Sequence, residues 1–336
     1  MKIIHTLFLA AALPLLAQEG ADAIYVQTNA AENAVNLYRH TDDGLRLEDS
    51  FKTRGAGTGS GLGSQGAVTL SPDGRYLAFL SSRPGTGKNK GSQIWLLDRR
   101  GGEAQQLTDS KARISAFEWA PDSKRMAVLL KDEEEDVKKL SDKDREKPRP
   151  IVIDRYSFKR DGAGYISGTK RTRIHILDIE TKKFELLTTT DYDESSPVWS
   201  PDGARIAFTS NHAADWDRVP SSDIYVTDAK PGSTPLRLTT FKGQDSSPVW
   251  SPDGKWIAYT SDSNGTSEVY VRALPDRGGL WKITEGGGDW AMFSPKPGEL
   301  LFSAHGSLMS VTYTEKAGAF VWEKPKTVIE KLTGRV

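Results

Sequence analysis

The chain has 336 residues, 45 basic and 45 acidic side chains, and no cysteine. Zero net charge argues against nucleic acid as a generic partner, and the missing cysteine excludes disulfides, thiolate metal sites and a cysteine nucleophile. Thirty-one glycines and 17 prolines suit a turn-rich β-fold and fall short of a disordered composition.

The N-terminus reads as a secretory signal. Lys2 precedes the apolar run Ile3–Ala17, which ends in small residues, so cleavage is expected after Ala17 or Ala23. The run is short for a membrane span. Without a cysteine at the junction a lipoprotein anchor is excluded. A periplasmic or secreted protein with no remaining span is the expectation. Three strand-like runs follow, Ile24–Thr28, Ala34–His40 and Leu45–Phe51, the last after an Asp42-Asp43-Gly44 turn.

The rest of the chain is organised by a repeat. The stretch Asp193–Asn211, DESSPVWSPDGARIAFTSN, returns at Asp245–Ser263, where Asp245 is followed by SSPVWSPDGKWIAYTSDS. Weaker copies occupy Thr69–Ser82, Phe117–Leu130 and Ala291–Ala304. Self-similarity at such a period marks a repeat architecture. Pro-Asp-Gly supplies a preset φ, a side chain that bonds its own backbone, and a residue free to take positive φ. A hairpin is therefore predicted between Pro197–Ser200 and Arg205–Ser210. In the second strand Ile206 and Phe208 alternate with Ala207 and Thr209, which suits a sheet packed on both faces. Third strands are expected at Ile94–Asp98, Ile174–Asp178, Ile224–Asp228 and Val269–Arg272. Fourth strands are expected at Gln105–Thr108, Phe184–Thr188, Leu236–Thr239 and Leu280–Thr284. Four antiparallel strands per repeat describe a propeller blade.

The fold class predicted is thus an all-β β-propeller. Five hairpin repeats plus the N-terminal strands give six four-stranded blades, and seven if an insertion carries a blade of its own. The ring is expected to close by pairing the C-terminal run Thr327–Leu332 with the N-terminal strands, since an open ring leaves unpaired edges. Residues 1–23 are assigned to the signal and 24–336 to a single propeller. The hairpin prolines Pro72, Pro121, Pro201, Pro252 and Pro295 are evenly spaced except between Pro121 and Pro201, where roughly thirty residues are extra. The excess is Lys131–Arg173. Its first part carries eight acids and seven bases and should be solvated. Its second part, Ile151–Thr172, reads as an ordered flap or an extra hairpin. This insertion, Asn211–Ser222 and Arg83–Ser92 all connect second to third strands, so the long loops are expected on one face, where binding usually resides.

No catalytic, cofactor or metal constellation is predicted. Gly61–Gly66 fits G-x-G-x-x-G but leads into a strand, so a loop is the better reading. Gly85-Thr86-Gly87-Lys88 lacks the rest of a phosphate loop. His5, His40, His175, His212 and His305 stand at no ligand-like spacing, and Asp262–Gly265 reads as a hairpin turn. No serine sits in G-x-S-x-G. The candidate binding face consists of Asp193, Glu194, Asp245 and Asp289 before first strands, Lys111 and Arg113 at the equivalent place one blade earlier, and His212, Asp215 and Asp217 on the 211–222 loop. This mainly acidic collar could attract a basic peptide or amine terminus; capping of strand ends is the plainer alternative.

The unit SSPVWSPDGxxIAxTS, followed by IYVTD and LRLTT, resembles the bacterial TolB-type propeller repeat, the WD40-like PD40 family, over about Ala67–Lys331. Within it, KPRPIVIDRYSFKRDGAGYISGTKRTRIHILD and the next repeat resemble the N-terminal propeller of acylaminoacyl peptidases of the prolyl-oligopeptidase (S9) family. That resemblance implies a propeller without a nucleophile, gating an α/β-hydrolase domain. No residue here up to Val336 matches such a domain, so the family's catalytic residues map onto no position. Ala23–Gly74 resembles the start of lactonase-type propellers. The function expected is a non-catalytic scaffold for a protein or peptide in the cell envelope, the alternative being a substrate-gating propeller that serves a separate hydrolase domain, and a lactonase-type propeller enzyme the minor one.

Overall fold

The computed structural model describes residues 23–27, 34–41, 44–52, 68–83, 85, 87–89, 91–132, 153, 156–160, 164–165, 171–214, 216–274, 279–294 and 298–330. The expected signal, the Asp42-Asp43 turn and Gly61–Gly66 lie outside them. Among the described residues every regular element is a β-strand. The chain divides into two compact units: Met1–Val128, Ile176–Phe184 and Leu332–Val336 form the first, Leu129–His175 and Glu185–Lys331 the second.

In the first unit β1 (Ala23–Gln27), β2 (Ala34–Thr41) and β3 (Gly44–Lys52) make a three-stranded antiparallel sheet. A four-stranded sheet follows, β4 (Val68–Leu70), β5 (Tyr76–Ser81), β6 (Gln93–Asp98) and β7 (Gln105–Gln106), paired in chain order. Val35 of β2 packs in one buried cluster with Leu77, Phe79, Trp95 and Leu97.

Next come β8 (Ile114–Trp119), β9 (Arg125–Lys131), the insertion hairpin β10 (Lys159–Arg160) and β11 (Gly164–Tyr165), then β12 (Thr172–Asp178) and β13 (Phe184–Leu186). The sheet order is β13-β12-β9-β8, and β10-β11 is a separate pair. Among the described residues the insertion contributes this hairpin and no further blade.

The second unit holds β14 (Glu194–Trp199), β15 (Arg205–Ser210), β16 (Asp223–Asp228) and β17 (Leu236–Arg237), paired in order. It repeats the pattern with β18 (Asp245–Trp250), β19 (Trp256–Ser261), β20 (Glu268–Ala273) and β21 (Leu280–Lys282). The last sheet contains β22 (Asp289–Phe293), β23 (Glu299–Ala304), β24 (Ser307–Lys316), β25 (Ala319–Trp322) and β26 (Lys326–Ile329). Five hairpin-bearing sheets and the N-terminal sheet match the count of six read from the repeats.

The hairpin turn is a small hydrogen-bonded box. Ser200 Oγ donates to Asp202 Oδ1 at 2.5 Å and accepts from Arg205 N at 2.9 Å, while Asp202 Oδ1 accepts from Ala204 N at 3.0 Å. Ser251 and Asp253 repeat these bonds, as do Ser71 and Asp73. Gly203 and Gly254 take φ of +67° and +69°, a conformation costly for residues with a Cβ. In the copy at Pro121 that place falls to Ser123, with φ +58°.

The first strands β14, β18 and β22 extend further upstream than the turn predicts, because each contains a bulge, whereas β4 pairs in plain register. Pairing shifts register between Ser195 and Val198, between Ser246 and Val249, and between Asp289 and Met292. Ser196, Ser247 and Trp290 inside these bulges have φ of +50°, +54° and +55°. The bulge explains how Pro197 and Pro248, which have no N–H to give a ladder, sit within strands.

Fourth strands are shorter than expected because a threonine hydroxyl replaces the last ladder acceptor. Ile94 N, Ile224 N and Val269 N each donate, at 2.9 Å, to Oγ1 of Thr108, Thr239 and Thr284. The second strands are buried on both faces, as the alternation implies: Ile206, Ala207 and Phe208 are all at 0% exposure. Between the β14–β17 and β18–β21 sheets Ala207, Ile224 and Leu238 meet Trp250, Ile257 and Tyr259. Burial of each large apolar side chain there contributes about 1.5–3 kcal/mol. Trp250 also donates from Nε1 to Val198 O at 3.2 Å, so this repeated tryptophan ties one blade to the next.

The expected ring closure is corrected in one respect. Among the described residues the C-terminal strand β26 pairs with β24, through Leu308↔Ile329, Met309↔Thr327 and Ser310↔Lys326, and the N-terminal sheet holds β1, β2 and β3 alone. The ten-residue β24 is long enough to do this, since β25 uses only its second half, Tyr313–Lys316. β26 thereby fills the fourth-strand place of its own blade.

Candidate binding face

The insertion is pinned at its base in the second unit. Arg173 Nη2 meets Asp132 Oδ2 at 2.5 Å, and Asp132 N donates to Arg171 O at 2.7 Å. Arg171 Nε donates to Asp191 O at 2.9 Å, and its guanidinium lies 4.8 Å from the Trp216 ring centre. The 211–222 loop is shaped by Asn211, whose side-chain amide donates to Trp216 O and Val219 O while its oxygen accepts from Ala213 N.

Insertion and loop then meet at Asp217. Tyr156 N donates to its Oδ2 at 2.7 Å and Ser157 Oγ to its carbonyl at 2.8 Å. Arg218 lies over the Tyr156 ring at 5.7 Å, and Phe158 stacks on Tyr165 across the β10–β11 hairpin at 6.5 Å. Even so pinned, Tyr156 is 71% exposed, and Ile153, Phe158, Tyr165 and Val219 are exposed too. Exposed apolar side chains held by such bonds are a feature of binding surfaces. These aromatic residues belong to the flap expected from the sequence, but nothing in the sequence singles them out; alternation of apolar residues does not say which will stay uncovered.

The acids proposed for the collar occupy quite different settings. Glu194 is 1% exposed and accepts from Thr188 Oγ1, from Thr190 Oγ1 at 3.0 Å and from Ile174 N at 2.8 Å. Burial raises its carboxyl above the usual range, against the pull of those donors. Asp193 is exposed and accepts from Thr172 N at 2.7 Å. Asp289 accepts from Thr260 Oγ1 and from Trp290 N, both at 2.8 Å, and so braces the bulge. Asp245 is 1% exposed, and neither of its carboxylate oxygens has a hydrogen-bond partner. Asp215 lies outside the described residues. Lys111 and Arg113 are exposed and belong to the first unit.

His212 is half-buried and sandwiched between Tyr192 and Tyr225, at ring distances of 4.0 and 4.2 Å. Its Nε2 has no hydrogen-bond partner. Burial, with a contribution from the Arg237 charge, pushes its pKa down, so the ring is neutral near pH 7. In the first unit the 83–92 loop is held by Asp109, which accepts from Lys88 N at 3.1 Å and Asn89 N at 2.9 Å. A Cβ on Gly85 or Gly87 would collide with Gln106, Trp95 or Asp109. These glycines permit close packing.

A recurring latch was not foreseen from the sequence. Thr108 donates to Gln93 at 2.8 Å and Thr284 to Glu268 at 2.5 Å, while Thr239 points at Asp223 at 3.4 Å. Where Arg173 replaces that acceptor, Thr188 turns to Glu194 of the next first strand. The repeated Leu-Thr or Ile-Thr at each fourth strand was the available signal. Glu118 on β8 was not foreseen either: its residue surface is only half-buried, yet the atoms packed around the carboxyl push it up to about 7.

Among the described residues no group of three or more His, Asp or Glu side chains could hold a metal ion, and no helix is long and apolar enough to cross a membrane. Comparison with known proteins matches residues 143–318, just over half the chain, to the TolB beta propeller domain, PD40. The chain is 30% identical over 157 residues to the "Uncharacterized peptidase YuxL" of Bacillus subtilis, covering 46% of this chain and 23% of that protein. The acylaminoacyl peptidase of Pyrococcus horikoshii superposes with a TM-score of 0.58 at 18% identity, over 92% of this chain and 44% of that one. TolB of Acinetobacter baumannii superposes with a TM-score of 0.51 at 20% identity, over 92% and 64%. The chain thus spans less than two thirds of the length of each of these relatives. The match over its repeats and the blade sheets place the chain in the TolB-type β-propeller family.

Proposed function

We propose that residues 24–336 form one propeller, exported behind a signal peptide, that binds a protein or peptide partner in the cell envelope without catalysing a reaction. The observation that carries this reading is the pinned insertion, which holds Tyr156, Phe158 and Tyr165 in place on the surface. Aromatic side chains fixed in this way bring large contact area at small entropic cost. The likeness to a protein named for the Tol-Pal system, 27% identical over 110 residues, supports an envelope setting. To test it, partners captured from envelope extracts by the chain are compared with those captured by the Tyr156→Ser, Phe158→Ser, Tyr165→Ser triple variant and by a deletion of Lys131–Arg149. Loss of a specific partner from both variants is expected. Undiminished capture by both would sink the reading.

A second reading is favoured by the likeness to a named peptidase: the propeller would gate substrate access to a hydrolase domain carried separately. A G-x-S-x-G reading frame in the adjacent DNA, and peptide turnover only when its product is added, would select it. Turnover by the purified chain alone that a serine-directed inhibitor abolishes would overturn the non-catalytic assignment.

A further inference from the structure

The latch treats one blade differently from the others. In four blades a threonine follows the fourth strand, and its hydroxyl has a single proton to give. In the β4–β7 blade its acceptor is Gln93, and the residue opening the next first strand is the apolar Ile114. In the β18–β21 blade the acceptor is Glu268, and Gly288 precedes the next strand. In the β14–β17 blade acids stand at both places, Asp223 and Asp245. Thr239 Oγ1 already accepts from Ile224 N and leans towards Asp223 Oδ1 at 3.4 Å.

The backbone brings the segments that carry the two acids side by side, and the Asp223 charge acts on Asp245. Asp245 N donates to Ser222 O at 2.8 Å, and Ser222 Oγ donates to Asp245 O at 2.9 Å, next to Asp223 in the chain. Asp223 has a counter-charge, since Arg237 Nη2 lies 2.7 Å from its Oδ2. Asp245 has none within bonding distance: the hydroxyls of Ser261 and Thr239 face it without reaching hydrogen-bond geometry. The Tyr259 hydroxyl nearby is fully buried and equally without a partner. A buried carboxylate with no donor is strongly disfavoured and neutralises instead.

We propose that Asp223 and Asp245 hold one proton between them in the folded protein, carried by Asp245, and that this pair makes the β17–β18 connection a pH-sensitive lock. Burial raises the Asp223 carboxyl too, but Arg237 pulls against that rise, so the proton rests on Asp245, whose neutral carboxyl can donate to the oxygens around it. Loss of that proton puts two anions side by side and loosens the connection. The charged and titratable groups facing Asp245 are Asp223 on β16, Arg237 on β17, Tyr259 on β19 and Asp262 just after it. Of the other strands packed on β18, β14 carries Glu194 and β22 carries Asp289, both held by donors of their own. Burial, and then the Asp223 and Asp262 charges, drive the Asp245 carboxyl upward. A carboxyl raised on folding stabilises most below its unfolded pKa, and that stability is lost as pH rises through the folded one.

The test follows urea unfolding of the full chain, D245N, D223N and E118Q between about pH 5 and about pH 8. The unfolding midpoint of D245N should lie above that of the unsubstituted chain at the higher pH, and the gap should close at the lower one. D223N, which removes the second charge, should flatten the same slope. Infrared spectra near neutral pH should show a neutral carboxylic-acid carbonyl band that survives in E118Q and disappears in D245N; should D245N fail to fold, a shift or loss of that band in D223N, which changes the charge acting on Asp245 alone among the raised acids, is the readout. A D245N midpoint lowered equally at both pH values, or no band assignable to Asp245, overturns the proposal.

Discussion

Two neighbouring blades close their fourth strands with the same threonine and reach opposite electrostatic outcomes. In the β18–β21 blade Glu268 is 3% exposed but accepts from Thr284, from Gly286 N at 3.0 Å and from Gly287 N at 3.3 Å, with Lys282 Nζ 3.0 Å away. Burial alone would raise its carboxyl, yet Thr284, Lys282 and Gly287 together bring it below the usual glutamate range. Just after the β14–β17 blade, Asp245 at the start of β18 is as deeply buried, the Ser261 and Thr239 hydroxyls face it without reaching hydrogen-bond geometry, and its carboxyl goes up. The difference teaches that burial does not decide the charge of an acid; the donors around it do. The pH signs follow. Glu268 contributes stability above the ordinary glutamate pKa, lost as pH falls through its depressed value, whereas the contribution of Asp245 is lost as pH rises.

The largest effect that could break this comparison is expected at the well-supplied blade. Glu268→Ala should lower stability by about 3 kcal/mol at neutral pH, since it strands buried donors and a lysine together. A loss near zero in urea unfolding would mean the latch does not hold the blade. An acid outside both blades sharpens the point. Glu118, raised from 4.5 to about 7, should follow the sign of Asp245. Glu118→Gln is expected to be more stable than the unsubstituted chain at alkaline pH by about 2 kcal/mol, reduced from the 1.4 kcal/mol per unit limit because the residue is only half-buried. The advantage should vanish below the ordinary glutamate pKa, as thermal unfolding across pH would reveal. The smallest effect separates the two threonines. Thr284→Val should cost about 1.5 kcal/mol, and Thr239→Val measurably less, because Thr284 binds its acid at 2.5 Å and Thr239 at 3.4 Å. Equal losses in parallel urea titrations would mean that the hydroxyl serves only the backbone N–H.

Much of the fold was legible because the repeat states the same physical solution several times. Pro-Asp-Gly identified the hairpins, and the small–large alternation of Arg205–Ser210 identified a strand buried on both sides. The bulges at Ser196 and Ser247 were not legible, since a shift in register depends on the partner strand. Nor was the choice of β26 for β24: several exposed edges could accept a strand, and the length of β24 selects one of them. At the candidate face the sequence found the acids and the flap. It could not tell that Glu194 is consumed by Thr188 and Ile174, that Asp217 is a clasp for Tyr156, or that no donor reaches Asp245 in hydrogen-bond geometry.

By itself, then, the sequence determined the all-β architecture, the hairpin positions and the place of the insertion, because turn chemistry and side-chain periodicity are local and recur. Tertiary structure decided which strand edge takes the C-terminal strand, which aromatic residues remain uncovered and which acid keeps its charge. Those outcomes depend on what lies opposite each group in space, and residues as far apart in the chain as Ser222 and Asp245, or Tyr156 and Asp217, meet only once the blades are built.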